Sequence, residues 1–291
     1  MDANTAVVTD TTAYLPDELV AEHGIHLISL YVTLDGEQRR ESEISAADYD
    51  DFFERLRRSA EGATTSQPSV GDFIALYEPL LAEGREIISV HISSGISGTY
   101  DSALQARRQL LDSGAGGERI HVWDSRTGCG GQGMLTLVAS RIAAAGGSGA
   151  EALAAVEHAR ESLKMWFAVD TLDFLKRGGR VGAASAWIGS TLKIKPILTL
   201  EEEITPVERV RTRRRAFERL VEFARDRKEA GAGAWVVQHI HDPDTARGLV
   251  DECRQIFGTD PVFVSEVGPV IGAHVGPGLL GCGGIQTDLL S

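Results

Sequence analysis

Cysteine is scarce in this chain. Cys129, Cys253 and Cys282 are the three present in 291 residues, an odd number at wide spacing that offers neither a disulfide framework nor the paired ligands of a zinc site, so each is expected to be a structural free thiol in a reducing compartment. Cations are outnumbered as well: 29 Lys and Arg stand against 42 Asp and Glu, a formal net charge of −13. A phosphate backbone would be repelled over much of such a surface, which argues against non-specific nucleic-acid binding while leaving room for a local basic patch. No window approaches the roughly 18 uninterrupted apolar residues that a membrane span needs. The amino terminus, Met-Asp-Ala-Asn-Thr, has no basic segment leading into an apolar one, as a secretion signal would. The expected location is therefore the cytoplasm. His, Asp and Glu nowhere fall at metal-ligand spacing, and internal repeats and low-complexity segments are missing too, so no cofactor is expected.

What is present is an alternation of short apolar runs with amphipathic segments. Ala6–Asp10, Ile25–Leu34, Glu86–Ile92 and Ile120–Ser125 have strand character, the second ending in the Asp35-Gly36 turn signal. Between them Ser45 and Asp48, then Ser69 and Asp72, form capping boxes ahead of helical patterns carrying Phe52, Phe53 and Leu56, and Phe73, Tyr77 and Leu80. Ala63–Ser69 is polar and rich in breakers, unsuited to a core strand. A small-residue helix is expected over Gly130–Ala145. Strand and helix in alternation predict a mostly parallel sheet with helices on both faces. At 291 residues the chain is long enough for two domains, and Gly146–Gly149 is the best linker, giving an N-terminal α/β domain of 1–147 and a C-terminal domain of 148–291.

The second half changes character. A capped helix opens near Ser148, a strand spans Trp166–Val169, and a short helix runs into the double glycine Gly178-Gly179. A small-residue helix is expected over Ala183–Leu192 and a hairpin from Lys195–Leu200 to Ile204–Val207. Thr212 caps a charged helix reaching about Lys228; Trp235–His239, Pro243–Phe257 and Val262–Ser265 follow as strand, helix and strand. Gly268–Gly278 reads as a loop too interrupted for a helix. This half is expected to be α+β.

Glu86–Ala106 is where chemistry is expected. A β-branched run ends in Ser93-Ser94-Gly95-Ile96-Ser97-Gly98-Thr99 and passes straight into helical spacing, so the loop sits at a strand's carboxyl end, beside the unpaired N–H groups and positive dipole end of a helix. Without the Lys of a nucleotide phosphate loop, a small head group such as a carboxylate fits better. Ser97 can equally serve as an ordinary N-cap, Thr65 as a loop hydroxyl, and His274 as a buried structural histidine. Arg209, Arg211, Arg213, Arg214 and Arg215 stand out in an acidic chain, as a solvated helix face or as a docking patch. A serine hydrolase acting on a lipid ester is the alternative, with Ser97, His274 and either Asp10 or Asp170 in its triad; Gly95-Ile96-Ser97-Gly98-Thr99 misses the last glycine of the nucleophile elbow.

Seven blocks in order resemble the DegV family, which includes the fatty-acid-binding subunits of bacterial fatty acid kinase: Val8–Thr12, Thr65–Ser69, His91–Tyr100, Asp170–Arg180, Lys195–Leu198, Arg209–Arg213 and Gly268–Gly278. The resemblance implies two domains holding one long-chain fatty acid between them, its tail in an apolar tunnel. The carboxylate would be held by Thr65, Ser97 with Gly98, and His274, the last loop returning to the interdomain site. It further implies that the chain has no kinase chemistry of its own. A separate ATP-dependent subunit would phosphorylate the presented carboxylate to an acyl phosphate for phospholipid synthesis. Arg177 and Arg180 can simply complement a helix C-terminus, or Arg177 can guard the carboxylate end of the pocket or meet the kinase; Arg209 is read as part of a docking patch for an acidic partner surface or for transient contact with anionic membrane lipid.

Overall fold

The computed structural model describes residues 4–59, 61–188 and 194–290. Its first layer is a four-stranded, wholly parallel sheet in the order His26–Ile28, Thr5–Asp10, Glu86–His91, Ile120–Asp124. Strand side chains alternate between faces. Ala6, Val8 and Ile87 therefore meet Phe73, Tyr77, Ala103 and Leu110 of the helices Val70–Ala82 and Thr99–Asp112. Val7, Ile88 and Val90 meet Met134, Leu135, Val156 and Ala159 of the helices Cys129–Ala144 and Gly149–Ser162. The expected parallel sheet with helices on both faces is present.

A six-stranded sheet forms the second body, in the order Glu203–Val210, Lys195–Glu201, Lys164–Ala168, Leu280–Gln286, Ala232–His239, Phe263–Glu266. Its pairs are antiparallel except the last. The helices Arg213–Glu229 and Pro243–Phe257 cover one face through Leu220, Phe223, Leu249 and Phe257. The other face places Ala234, Val236 and Ile285 in one core with Val7 and Ile88 of the parallel sheet. Cys129–Ala144 is thus clasped between the sheets and buried nearly all round, which is why it is built from small residues. A side chain at Gly133 would place its Cβ 2.9 Å from the Phe263 ring and 3.1 Å from the Ala13 carbonyl oxygen. The helix Gly149–Ser162, capped by Ser148 and Glu151, packs back onto the parallel sheet.

A small antiparallel sheet, Glu37–Arg40, Tyr31–Leu34, Ala63–Ser66, sits apart. Asp35 and Gly36 form its two-residue turn with φ of +54° and +82°, as a tight hairpin requires. Three expectations are corrected here. Ile25–Leu34 is not one strand: the Ser29 hydroxyl donates to Leu30 O and accepts the Ser42 N–H, and Leu30 N–H turns to Thr11 Oγ1, so His26–Ile28 and Tyr31–Leu34 enter different sheets. The polar Ala63–Ser66 does form a strand, though not a core one: it lies at an edge, in keeping with its composition. Gly268–Gly278 contains a helix, Pro269–Val275, for the reason given below. Of the helix expected over Ala183–Leu192, Gly182–Trp187 is a 3-10 helix, and residues 189–192 lie outside the described residues. Among the described residues no helix is long and apolar enough to cross a membrane and no cluster of metal-ligating side chains occurs.

Candidate functional site

The six-stranded sheet, the small sheet and the residues just past the parallel strands, Thr12 and Ile92, wall one cavity, which encloses about 1020 Å³ free of protein atoms, part of it open to solvent. Ile92, Met165, Phe167, Leu200, Val267 and Leu279 make most of it apolar. Thr65, Gln67, Ser97, Arg180 and His274 bring polar groups to it. Thr65, at the edge of the small sheet, and His274, on the late helix, are 209 positions apart, yet Thr65 Oγ1 and His274 Nε2 lie 2.7 Å apart. Ser97 enters from the loop ahead of the helix Thr99–Asp112, its Oγ accepting the Thr99 N–H at 3.3 Å and standing 2.9 Å from Thr99 Oγ1. Gly98 takes the N-cap position and supplies no side-chain cap. A Cβ there would lie 2.9 Å from the Gln67 amide, so glycine is what lets the Gln67 side chain close over the loop.

His274 is held neutral. It is 9% exposed, and burial, reinforced by the nearby Arg180 charge, pushes its pKa down to about 4. Its Nδ1 is buried without a hydrogen-bond partner among the described residues and faces Gly178, where any side chain would collide with the ring. The helix beneath it has no local cap: Gly268 offers no side chain, and Pro269 at its first position has no N–H to satisfy. The next two N–H groups find distant acceptors, Val270 donating to Glu41 Oε1 at 2.8 Å and Ile271 to Tyr14 Oη at 3.1 Å. Gly272 leaves room for the Phe53 ring. These contacts make a helix of a segment that its own composition leaves irregular.

Behind the wall, Asp10 accepts the Thr12 and Ile92 N–H groups and pairs with His91 Nδ1 at 3.0 Å. Burial alone would raise its pKa, but these bonds and the His91 interaction hold it below the usual carboxylate range. His91 Nε2 continues to Ser89 Oγ and Ser89 to Tyr77 Oη, each 2.7 Å. This rigid network anchors Thr12 and Ile92, both cavity residues.

The structure thus brings Thr65, Ser97 and His274 to one cavity with Gly98 beside it. Arg177 lies off the wall, its guanidinium stacked over Phe174 at 4.8 Å; Arg180, three residues on, lines the cavity and donates from Nε to Ile96 O at 3.2 Å. Arg209 is exposed and covers the Trp187 ring at 5.2 Å. The rest of the arginine run is largely engaged: Arg213 bridges Asp170 and Asp242, Arg214 pairs with Glu218, and Arg215 with Glu218 and Glu222. The groups of the hydrolase alternative are bonded elsewhere, Ser97 to Thr99, His274 to Thr65, Asp10 to His91 and Asp170 to Lys195 and Arg213. Arg180 stands in the Asp170–Arg180 block, where the sequence offers no means of telling which arginine faces inward. Glu41 and Tyr14 carry no local signal at all.

The family model described as "Uncharacterised protein, DegV family" matches residues 4–287. Protein DegV of Bacillus subtilis is 38% identical over 281 residues, covering 96% of this chain and 98% of the relative. A DegV domain-containing protein of Streptomyces coelicolor is 40% identical over 285 residues, covering 97% and 98%. Among solved structures, the crystal structure of DegV from Bacillus subtilis, described as a fatty acid binding protein, matches with a TM-score of 0.85 at 36% identity, covering 98% of this chain and 99% of that one. A DegV family protein from Thermus thermophilus, described through its fatty acid binding, matches with a TM-score of 0.83 at 33% identity, covering 97% and 99%.

Proposed function

This chain belongs to the DegV family, and from that premise we propose that it binds one long-chain fatty acid in the cavity between its N-terminal (1–147) and C-terminal (148–291) parts. The observation that carries the proposal is the meeting of Thr65 and His274 at 2.7 Å in the wall of a largely apolar cavity that Ser97 also lines. With the neutral imidazole protonated at Nε2 and donating to Thr65 Oγ1, the Thr65 hydroxyl is free to donate onward to a carboxylate, and Ser97 Oγ can do the same. Such charge-assisted bonds set orientation. The tail supplies affinity: at about 0.8 kcal/mol per buried CH₂, a chain of roughly sixteen carbons contributes on the order of 10 kcal/mol before the costs of association.

In this proposal the protein is a carrier without catalysis of its own, working in the cytoplasm. It presents the carboxylate to a separate ATP-dependent kinase subunit that makes the acyl phosphate used in phospholipid synthesis. Arg177 and Arg209, both off the cavity wall, would serve docking to that subunit or brief contact with anionic lipid. Extraction and mass spectrometry of lipid from the purified protein tests the binding; absence of fatty acid, even after incubation with oleate, refutes it. Arg209→Glu tests the docking, and acyl phosphate formation at the wild-type rate in a reconstituted kinase assay refutes that part alone.

A further inference from the structure

From the far side of the helix that carries His274, we infer that Glu41, assisted by Tyr14 and Thr11, is a positioning residue for the head-group site. This rests on reading the cavity as a fatty-acid site. Glu41 is 4% exposed, and a carboxylate so buried is costly unless it is paired or fully bonded. It receives the Tyr14 hydroxyl at 2.7 Å on Oε1, the Thr11 hydroxyl at 2.6 Å on Oε2, and the Val270 N–H at 2.8 Å on Oε1. Tyr14 Oη accepts the Ile271 N–H in turn. The seven-residue helix Pro269–Val275 therefore takes both of its first available N–H partners from residues that precede it by more than two hundred positions. A helix of that length does not persist on its own.

Topology explains why this bears on ligand binding rather than on folding alone. Glu41 directly follows the strand Glu37–Arg40, and Thr65 lies in the strand Ala63–Ser66 of the same small sheet. One sheet thus grips the helix at Val270 through Glu41 and at His274 through Thr65. At a rise of about 1.5 Å per residue the two grips are roughly 6 Å apart along the axis, and together they fix both the axial slide and the rotation of the helix. Loss of the first grip leaves the imidazole tethered by Thr65 alone.

Glu41→Gln keeps the side-chain volume but turns NH₂ donors toward groups that themselves donate. The result expected is a folded protein in which the His274 imidazole, followed by NMR, titrates nearer to the ordinary histidine range and in which oleate binds about tenfold more weakly. Glu151→Ala, which removes a capping box on the helix Gly149–Ser162, controls for destabilisation alone and should leave the His274 titration in place. A folded Glu41→Gln protein whose His274 titration and oleate affinity stay within twofold of wild type overturns the inference. Should Glu41→Gln fail to fold, Tyr14→Phe, which removes the acceptor of the Ile271 N–H and one donor to Glu41, is read in the same two ways, and unchanged values again overturn it. If wild-type protein binds no oleate, the fatty-acid reading fails, and the His274 titration still decides whether Glu41 positions the ring.

Discussion

The buried neutral His274 makes a defined contribution to stability that can be isolated by pH. Its folded-state pKa is pushed down to about 4 by burial and by Arg180, against about 6.5 for an unfolded chain. Above pH 6.5 the imidazole is neutral in both states and contributes nothing. As pH falls below 6.5 the unfolded chain takes up a proton that the folded protein refuses, so stability is lost through the window from 6.5 down to 4. Each pH unit inside that window costs about 1.36 kcal/mol, which makes the loss about 2 kcal/mol at pH 5 and about 3 kcal/mol by pH 4. His274→Gln removes the titration while its amide can still reach Thr65. Urea unfolding of both proteins at pH 7.5, 6 and 5 should show the wild type losing about 2 kcal/mol more than the variant between pH 7.5 and 5. The comparison cancels His26 and His239, whose pKa values are also lowered by burial. Parallel stability curves would refute the claim that His274 is held neutral. A second arm concerns the ligand: a carboxylate beside the ring favours the imidazolium, so oleate-saturated wild type should lose less stability than apo protein over the same interval.

Three other perturbations test separate parts of the site. Thr65→Val keeps the shape of the side chain and deletes the hydroxyl bonded to His274; hydrogen bonds to charged groups are worth about 1.5–3 kcal/mol, so oleate affinity should fall at least tenfold, and an unchanged dissociation constant would remove Thr65 from the head-group site. Gly272→Ala drives a methyl into the Phe53 ring and should cost about 1–3 kcal/mol by overpacking, read as a lower urea midpoint at constant slope. Asp10→Asn weakens the bonds from Thr12, Ile92 and His91 and should cost about 3 kcal/mol at neutral pH. Because the Asp10 pKa is lowered on folding, its stabilisation is present above the unfolded value near 4 and is lost as pH falls through the folded one, so the gap between variant and wild type should narrow in acid; a gap that widens there contradicts the assigned bonding.

What local rules can and cannot read in this chain divides along one physical line. Ser69 with Asp72 and Ser148 with Glu151 are legible as helix starts because donor and acceptor lie three residues apart, and both capping boxes form. Asp35-Gly36 is legible because its positive φ angles are a property of those two residues. The parallel sheet follows from apolar runs alternating with amphipathic ones. The helix Pro269–Val275 is not legible, because its first free N–H group is satisfied from a residue 229 positions earlier. Nor is the strand Leu280–Gln286, whose glycines look like loop; at Gly281 a Cβ would stand 3.0 Å from Phe167 Cβ and 3.2 Å from the Trp166 carbonyl oxygen, so bare backbone is what lets the strand pair there. Arg180 rather than Arg177 faces the cavity because the chain turns between them at Gly179, with φ of +68°. Thr65, Ser97 and His274 are singled out by the blocks they share with DegV proteins; no periodicity distinguishes them. The two misread elements, Pro269–Val275 and Leu280–Gln286, lie where distant segments must approach more closely than ordinary side chains allow or must share one hydrogen bond. Some of those places also close the cavity, as where Thr65 meets His274. A segment that breaks local rules and is nevertheless regular in the fold, as Pro269–Val275 is, therefore points to the distant groups that hold it, and here one of them, Glu41, directly follows a strand of the small sheet that carries Thr65.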